Sequence, residues 1–209
     1  MPQYKHKEQY DIISISHYFP PRIGGLENMA KNLLVGLGNN GIRGLAIYGS
    51  SESLRKEGKY IDEICFKTPS IFNNTYPIFG IKYFLEVIKI LRNNSDAKVI
   101  LHSRHLTSSI LAALACILLK HPYTVIEHNG GPVFFKSPAV TRFANSVDRN
   151  IFGLVLENAE DILAVSKTSK EWISQNFRIH KERIGVIYNS YNTDFKESEL
   201  EKKDNTVVF

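Results

Sequence analysis

Cysteine is scarce: the 209 residues include two, Cys65 and Cys116, set in unrelated apolar stretches with no C-x-x-C or metal-ligand spacing. A disulfide framework and a thiolate metal site are thereby excluded as organising features, and a reduced, cytoplasmic compartment is the simplest setting. Long apolar runs are missing too. The longest, Ile110 to Leu119, is too short to cross a bilayer, and the N-terminal MPQYKHKEQYD has no apolar signal core, so a soluble protein is expected. No two acidic residues stand out as a hydrolase pair, no His/Cys cluster has metal spacing, and G-x-G-x-x-G is absent. Internal repeats and low-complexity tracts are absent as well. The formal charge of +5 favours anionic partners only mildly, and its Lys and Arg are scattered apart from Lys202-Lys203. Without a recognition motif, nucleic acid is not an expected partner.

What is present is a rhythm. At 43% hydrophobic content the chain can bury a sizeable core. Apolar runs of strand length alternate with longer segments of helical period, the pattern of a parallel α/β sheet. Strands are expected at Asp11–Ser16, Gly44–Tyr48, Ile64–Lys67, Lys98–His102, Tyr123–Glu127, Asp161–Val165 and Ile184–Tyr188. Helices are expected over Leu26–Leu37, Tyr76–Leu91, Thr107–Leu119, Thr141–Asn158 and Lys167–Asn176, the third of them buried on most sides. Ser50–Asp62 reads as a polar, mobile stretch. The fold expected is α/β, a Rossmann-like doubly wound parallel sheet of about seven strands. Residues 1–195 form this domain. Residues 196–209 read as a charged linker ending in TVVF, the first strand of a second domain.

Three strand ends carry chemistry. HYFPPRIGGLENMAKNLL, residues 17 to 34, places Gly24-Gly25 between the first strand and the first helix. Open α/β sheets bind ligands beyond the carboxyl ends of their strands, and glycine lets backbone N–H groups come close to a phosphate. The same pair also serves as ordinary turn punctuation, and Glu27 in the first helical turn opposes an incoming anion. TVIEHNGG, residues 124 to 131, delivers Glu127, His128 and Asn129 ahead of a glycine pair. His128 can hydrogen-bond sugar hydroxyls, act as acid or base, or be satisfied by loop backbone. In His102-Ser103-Arg104-His105, Arg104 can meet a phosphate or pair with a carboxylate.

YFPPRIGGLE (18 to 27), EHNGG (127 to 131), AEDILAVSKTSKEWI (159 to 173) and RIGVIYNSYN (183 to 192), in that order, resemble the N-terminal domain of a GT-B glycosyltransferase. The likeness is to the retaining enzymes of glycosyltransferase family 4, and it runs from about Tyr10 to Asn192. It implies that Gly24 and Gly25 lie against the donor diphosphate and that His128 faces the transferred sugar as the catalytic candidate. Arg22, Arg104, Glu127, Asn129 and Asn189 become candidate acceptor or sugar contacts. Asn189 matches the family's VIYNG segment, whereas Ser190 replaces its glycine and Asn192 stands where aspartate is common.

The resemblance further implies a C-terminal donor-binding domain with an E-x7-E motif, which this chain does not contain, a nucleotide-diphosphate sugar as donor substrate, and no cofactor or essential metal. The implied function is the acceptor-binding half of a retaining transferase, inactive in isolation and belonging to polysaccharide biosynthesis. Its acceptor is a glycan or a lipid-linked sugar. Ile71–Leu91 and Pro132–Phe143 mix aromatics with Lys and Arg, a composition suited to peripheral contact at the inner membrane face, although core packing accounts for most of them. The other reading is a non-catalytic α/β module that binds a glycan or a partner transferase.

Overall fold

The structure is a computed structural model that describes residues 9–22, 24–71, 76–132 and 134–189. The expected linker and final strand, 196–209, lie outside the described residues, as do Phe72–Thr75. β1 (Ile12–Ile15) leads through a turn with a cis Pro20–Pro21 bond into α1 (Gly25–Asn39), which is followed by β2 (Gly44–Ser50). Gly41, at φ +83°, reverses the chain after α1 in a conformation that favours glycine. β3 (Leu54–Lys56) and β4 (Ile61–Lys67) come next, and β5 (Ser70–Ile71) with β6 (Tyr76–Pro77) makes a separate small hairpin. Then follow α2 (Ile81–Asn93), β7 (Lys98–His102), α3 (Thr107–Leu119) and β8 (Tyr123–Glu127). α4 (Pro138–Val147) runs through a π-helical turn (Asp148–Phe152) into α5 (Gly153–Glu157). β9 (Asp161–Ala164), α6 (Lys167–Asn176), a 3-10 turn (Lys181–Arg183) and β10 (Ile184–Val186) complete the described chain.

Among the described residues the main sheet has eight strands in the order β10-β9-β8-β7-β1-β2-β4-β3, all parallel except β3. This is a doubly wound, Rossmann-like sheet, and its order reverses between β1 and β7. Period-2 alternation builds two cores. Ile13, Ile15, Leu45, Ile47, Val99 and Leu101 pack with Tyr83, Val87 and Leu91 of α2 and Ala112 and Cys116 of α3. Ala46 and Tyr48 point the other way, against Ala30 and Leu34 of α1 and against Phe19.

Four expectations need correction. Ser50–Asp62 contains β3, whose Leu-Arg-Lys has little strand character of its own and is recruited by antiparallel pairing with Glu63–Cys65 of β4. Its charges sit on the sheet edge, where they discourage further pairing. The helix expected from Tyr76 begins at Ile81, because Tyr76–Pro77 pairs as β6 and the extended Gly80 caps the helix. The helix expected over Thr141–Asn158 starts earlier, at Pro138, and is interrupted by the π-helical turn at Asp148. α3 is not buried on most sides. Its small residues Ser108, Ser109, Ala112, Ala113, Ala115 and Cys116 are buried, while Leu114, Ile117 and Leu118 are exposed.

Candidate active site

Ligands of doubly wound sheets bind at the carboxyl ends of the strands where the order reverses, which here is the end shared by β1 and β7. Three elements deliver side chains to it. β1 carries Ser14 and continues into Ser16 and His17, β7 ends in His102 and continues into Ser103, Arg104 and His105, and β8 ends in Glu127 and continues into His128. Ser103 adopts φ +64°, which turns the chain sharply so that Arg104 points inward.

Alternation at the end of β8 separates two networks. Glu127 belongs to the first, a closed ionic cluster: Arg104 and Glu127 are both 0% exposed and Asp148 is 3% exposed. Arg104 donates from Nε to Asp148 Oδ1 at 3.0 Å and from Nη2 to Oδ2 at 2.6 Å, a bidentate fork. Its Nη1 lies 3.0 Å from Glu127 Oε2, which also accepts the Arg104 backbone N–H at 3.0 Å. The other oxygen, Oε1, accepts the backbone N–H of Asn129 at 2.9 Å. The rings of Trp172 and Phe177 each centre 4.8 Å from the guanidinium carbon. Burial works against the charge of Arg104, but the two carboxylates more than offset it and raise its pKa above the ordinary arginine value.

The second network is a file of histidines. His102 is 0% exposed. Its Nε2 lies 3.0 Å from Ser14 Oγ, and its Nδ1 lies 3.0 Å from His128 Nε2. His17 makes its own contacts: it is 5% exposed, with Nδ1 3.3 Å from Ser108 Oγ and its ring against Tyr76 and Phe79. His17 Nε2 and His105 Nδ1 are buried and meet no hydrogen-bond partner among the described residues. Burial drives all of these rings toward the neutral form. His102 falls to about 3, with His128 adding to the effect. His17 also falls to about 3, with His105 and Arg22 adding to it. His128 falls to about 4, Glu127 working against the shift. His105 is lowered for the same first reason. At neutral pH the site thus presents uncharged imidazoles.

The Gly24-Gly25 turn follows β1 at this same sheet end. Gly24 is extended and caps α1 without a side-chain hydrogen bond, and Gly25 is the first helical residue. A Cβ on Gly24 would stand 2.0 Å from Glu27 Oε2, so the glycine leaves room for that carboxylate to fold back over the helix start. A Cβ on Gly25 would meet nothing within 4 Å among the described residues. On the far side of the site Gly130 lies close to the start of α6, its would-be Cβ 3.2 Å from Ser169 Cα.

The predicted residues separate accordingly. His128 follows β8, the strand beside β7 and next to the reversal point, and Gly24, Gly25 and Arg22 lie on the turn leaving β1. Arg22 is exposed, with its guanidinium carbon 3.6 Å from the Tyr18 ring centre. Arg104 and Glu127, expected to contact sugar or acceptor, contact each other instead, because neither side chain reaches the surface. Asn129 contributes its backbone: its N–H binds Glu127 and its carbonyl accepts from Ser169 Oγ at 3.4 Å. Asn189 is exposed beyond the edge strand β10, away from the reversal point. Ser14, His17, Asp148 and Trp172 were not foreseen. One of them was marked: Asp148 is the only acidic residue between Glu127 and Glu157. Among the described residues, no three His, Cys, Asp or Glu side chains are grouped to hold a metal ion.

The sequence model of the family described as Glycosyltransferase Family 4 matches residues 23–195. An uncharacterized glycosyltransferase of Methanocaldococcus jannaschii is 24% identical over 200 residues, covering 92% of this chain and 50% of that protein. Among solved structures, Anabaena HepE in complex with UDP superposes with a TM-score of 0.54 at 15% identity, over 87% of this chain and 44% of HepE. HepE with UDP-glucose gives 0.51 at 16% identity, with the same coverage of both chains. Staphylococcus aureus MnaA with UDP gives 0.52 at 13% identity, over 85% of this chain and 43% of MnaA. The chain therefore spans about half the length of the relatives it matches.

Proposed function

The chain belongs to glycosyltransferase family 4, and from that premise we propose that it is the acceptor-side half of a retaining transferase using a nucleotide-diphosphate sugar. The observation that carries the reading is His128: a neutral imidazole held through Nε2 at the carboxyl end of β8, next to the strand-order reversal. Held there, the ring orients a sugar hydroxyl or oxygen without bringing a charge into the site. The N–H groups of Gly24 and Gly25 offer a leaving diphosphate the start of a 15-residue helix. For that the Glu27 carboxylate must turn aside, since it now lies over Gly24. In this reading a single half holds the diphosphate from one side only, so it is inactive until a second domain closes the cleft, and no metal is needed.

The test is His128→Ala in a complete two-domain transferase carrying these residues. Transfer is expected to fall by at least ~10-fold, the worth of one good hydrogen bond in a buried site. An unchanged rate removes His128 from the chemistry.

The acceptor side has its own observation. α4 buries none of its residues. Phe134 is 79% and Phe143 71% exposed, Lys136 and Arg142 are exposed beside them, and Pro132–Val147 contains no acidic residue. The other segment with this composition behaves differently, because Tyr83, Val87, Ile88, Ile90 and Leu91 of α2 are core. No helix among the described residues is long and apolar enough to cross a membrane. The α4 surface supports a lipid-linked acceptor reached from a cytoplasmic, peripheral position at an anionic bilayer. Sedimentation with phosphatidylglycerol vesicles at low salt is expected to recover the chain, and Phe134→Ser with Phe143→Ser to weaken recovery by about 10-fold or more. Equal recovery of both proteins would take α4 out of the interface.

A further inference from the structure

Ser14, His102 and His128 form a continuous hydrogen-bonded file from inside the sheet to the ligand crevice, with both links at 3.0 Å. A neutral imidazole has one N–H and one bare nitrogen, so the two links cannot be assigned independently. If His128 Nε2 donates to His102, then His102 Nε2–H donates to Ser14 and the hydroxyl proton of Ser14 must go elsewhere. If Ser14 donates to His102 Nε2, then His102 Nδ1–H donates to His128 Nε2, and the proton of His128 stays on Nδ1. Ser14 is 2% exposed, and among the described residues its hydroxyl has no acceptor other than His102. The first arrangement strands a buried O–H, whereas the second uses every proton in the file.

We propose that Ser14 and His102 are positioning residues that lock His128 in the Nδ1–H tautomer, so that it presents the crevice with a hydrogen-bond donor. The sequence dictates this placement. Ser14 and His102 occupy the face opposite Ile13, Ile15, Val99 and Leu101, in strands that pair in register from Ile12–Lys98 to Ile15–Leu101. β8 then lies against β7 with Ile126 opposite His102, which brings the next residue on that face, His128, within reach. The burial that keeps both imidazoles uncharged also keeps them in the two-proton state that this file requires. A donor at Nδ1 suits an acceptor oxygen of the ligand, a sugar ring or hydroxyl oxygen or a phosphoryl oxygen, and disfavours a ligand group that offers only N–H.

The inference rests on the reading of His128 as the residue that meets the sugar, but its test does not use activity. Imidazole ¹⁵N shifts of His128, recorded on this chain at pH 7, distinguish protonated Nδ1 from protonated Nε2. The wild-type chain is expected to show Nδ1–H alone. His102→Asn, whose amide N–H occupies the place of Nδ1–H, should keep that state, and Ser14→Ala should release it into a mixture of both tautomers. An Nε2–H signal in the wild type overturns the proposal, as does a Ser14→Ala spectrum identical to wild type. Should His128→Ala leave transfer unchanged while the ¹⁵N shifts behave as expected, the file exists and its role in sugar binding does not.

Discussion

Replacing Arg104 by methionine is expected to cost the fold about 3–5 kcal/mol and to lower its melting temperature by roughly 6–20 °C. Methionine fills much of the volume between Trp172 and Phe177, so little of this loss comes from a cavity. The cost is electrostatic. Glu127 and Asp148, 0% and 3% exposed, would remain buried with no cation between them, and Asp148 would lose both arms of its fork. Lysine is no substitute, since one ammonium cannot reach across to two carboxylates in different directions. Replacing all three charges, Arg104→Met with Glu127→Gln and Asp148→Asn, should recover a large part of the loss, because breaking a buried pair costs more than removing it whole. Thermal melts of the three proteins decide the matter. A loss below about 1 kcal/mol for Arg104→Met alone would falsify the account of this cluster as a closed ionic lock.

The lock explains why the site has its shape. Glu127 ties the backbone of Arg104, after β7, to the backbone of Asn129, after β8, and His128 lies between Glu127 and Asn129 in the chain. Asp148 anchors the π-helical turn to the same guanidinium, so the turn that connects α4 to α5 is registered against the strand ends. A side chain that reads as a ligand contact in the sequence is thus a strut for the residue beside it.

Helices and strands with strong local signals were legible. α3 and α6 occupy the expected Thr107–Leu119 and Lys167–Asn176, and β7 and β8 fall at Lys98–His102 and Tyr123–Glu127. Ser166 shows why α6 begins where it does: its hydroxyl accepts the Ser169 N–H at 3.0 Å. What escaped was whatever depends on strand order. Nothing local says that β1 runs between β2 and β7, and only that order puts Ser14 near His102, 88 positions apart in the chain. The two readings of Arg104, anion contact or carboxylate partner, were equal in sequence because its partner Asp148 lies 44 residues away. Gly24-Gly25 and Glu127-His128-Asn129 were legible as a site because glycine turns at strand ends are local features.

Between pH 6.5 and about 4 the chain is expected to lose stability steeply, before its carboxylates titrate as ordinary acids. The sign follows from burial. His17 and His102 are lowered to about 3 and His128 to about 4, against 6.5 for an exposed imidazole. Above pH 6.5 the folded and unfolded chains both carry these rings neutral, and their contribution is fully present. As the pH falls below 6.5 the unfolded chain binds protons that the folded chain refuses, so unfolding is favoured with every step downward. The penalty stops growing only below the folded values. With three rings engaged near pH 5, unfolding takes up about three protons, a slope on the order of 4 kcal/mol per pH unit. Urea midpoints recorded from pH 7.5 to 4.5 measure that uptake directly. His102→Asn removes one of the three titrating rings, and its slope is expected to drop by about one proton while its midpoint at pH 7.5 moves far less. Midpoints that stay level down to pH 5 would mean that these rings accept protons in the folded state, and His128 would then stand charged at the carboxyl end of β8.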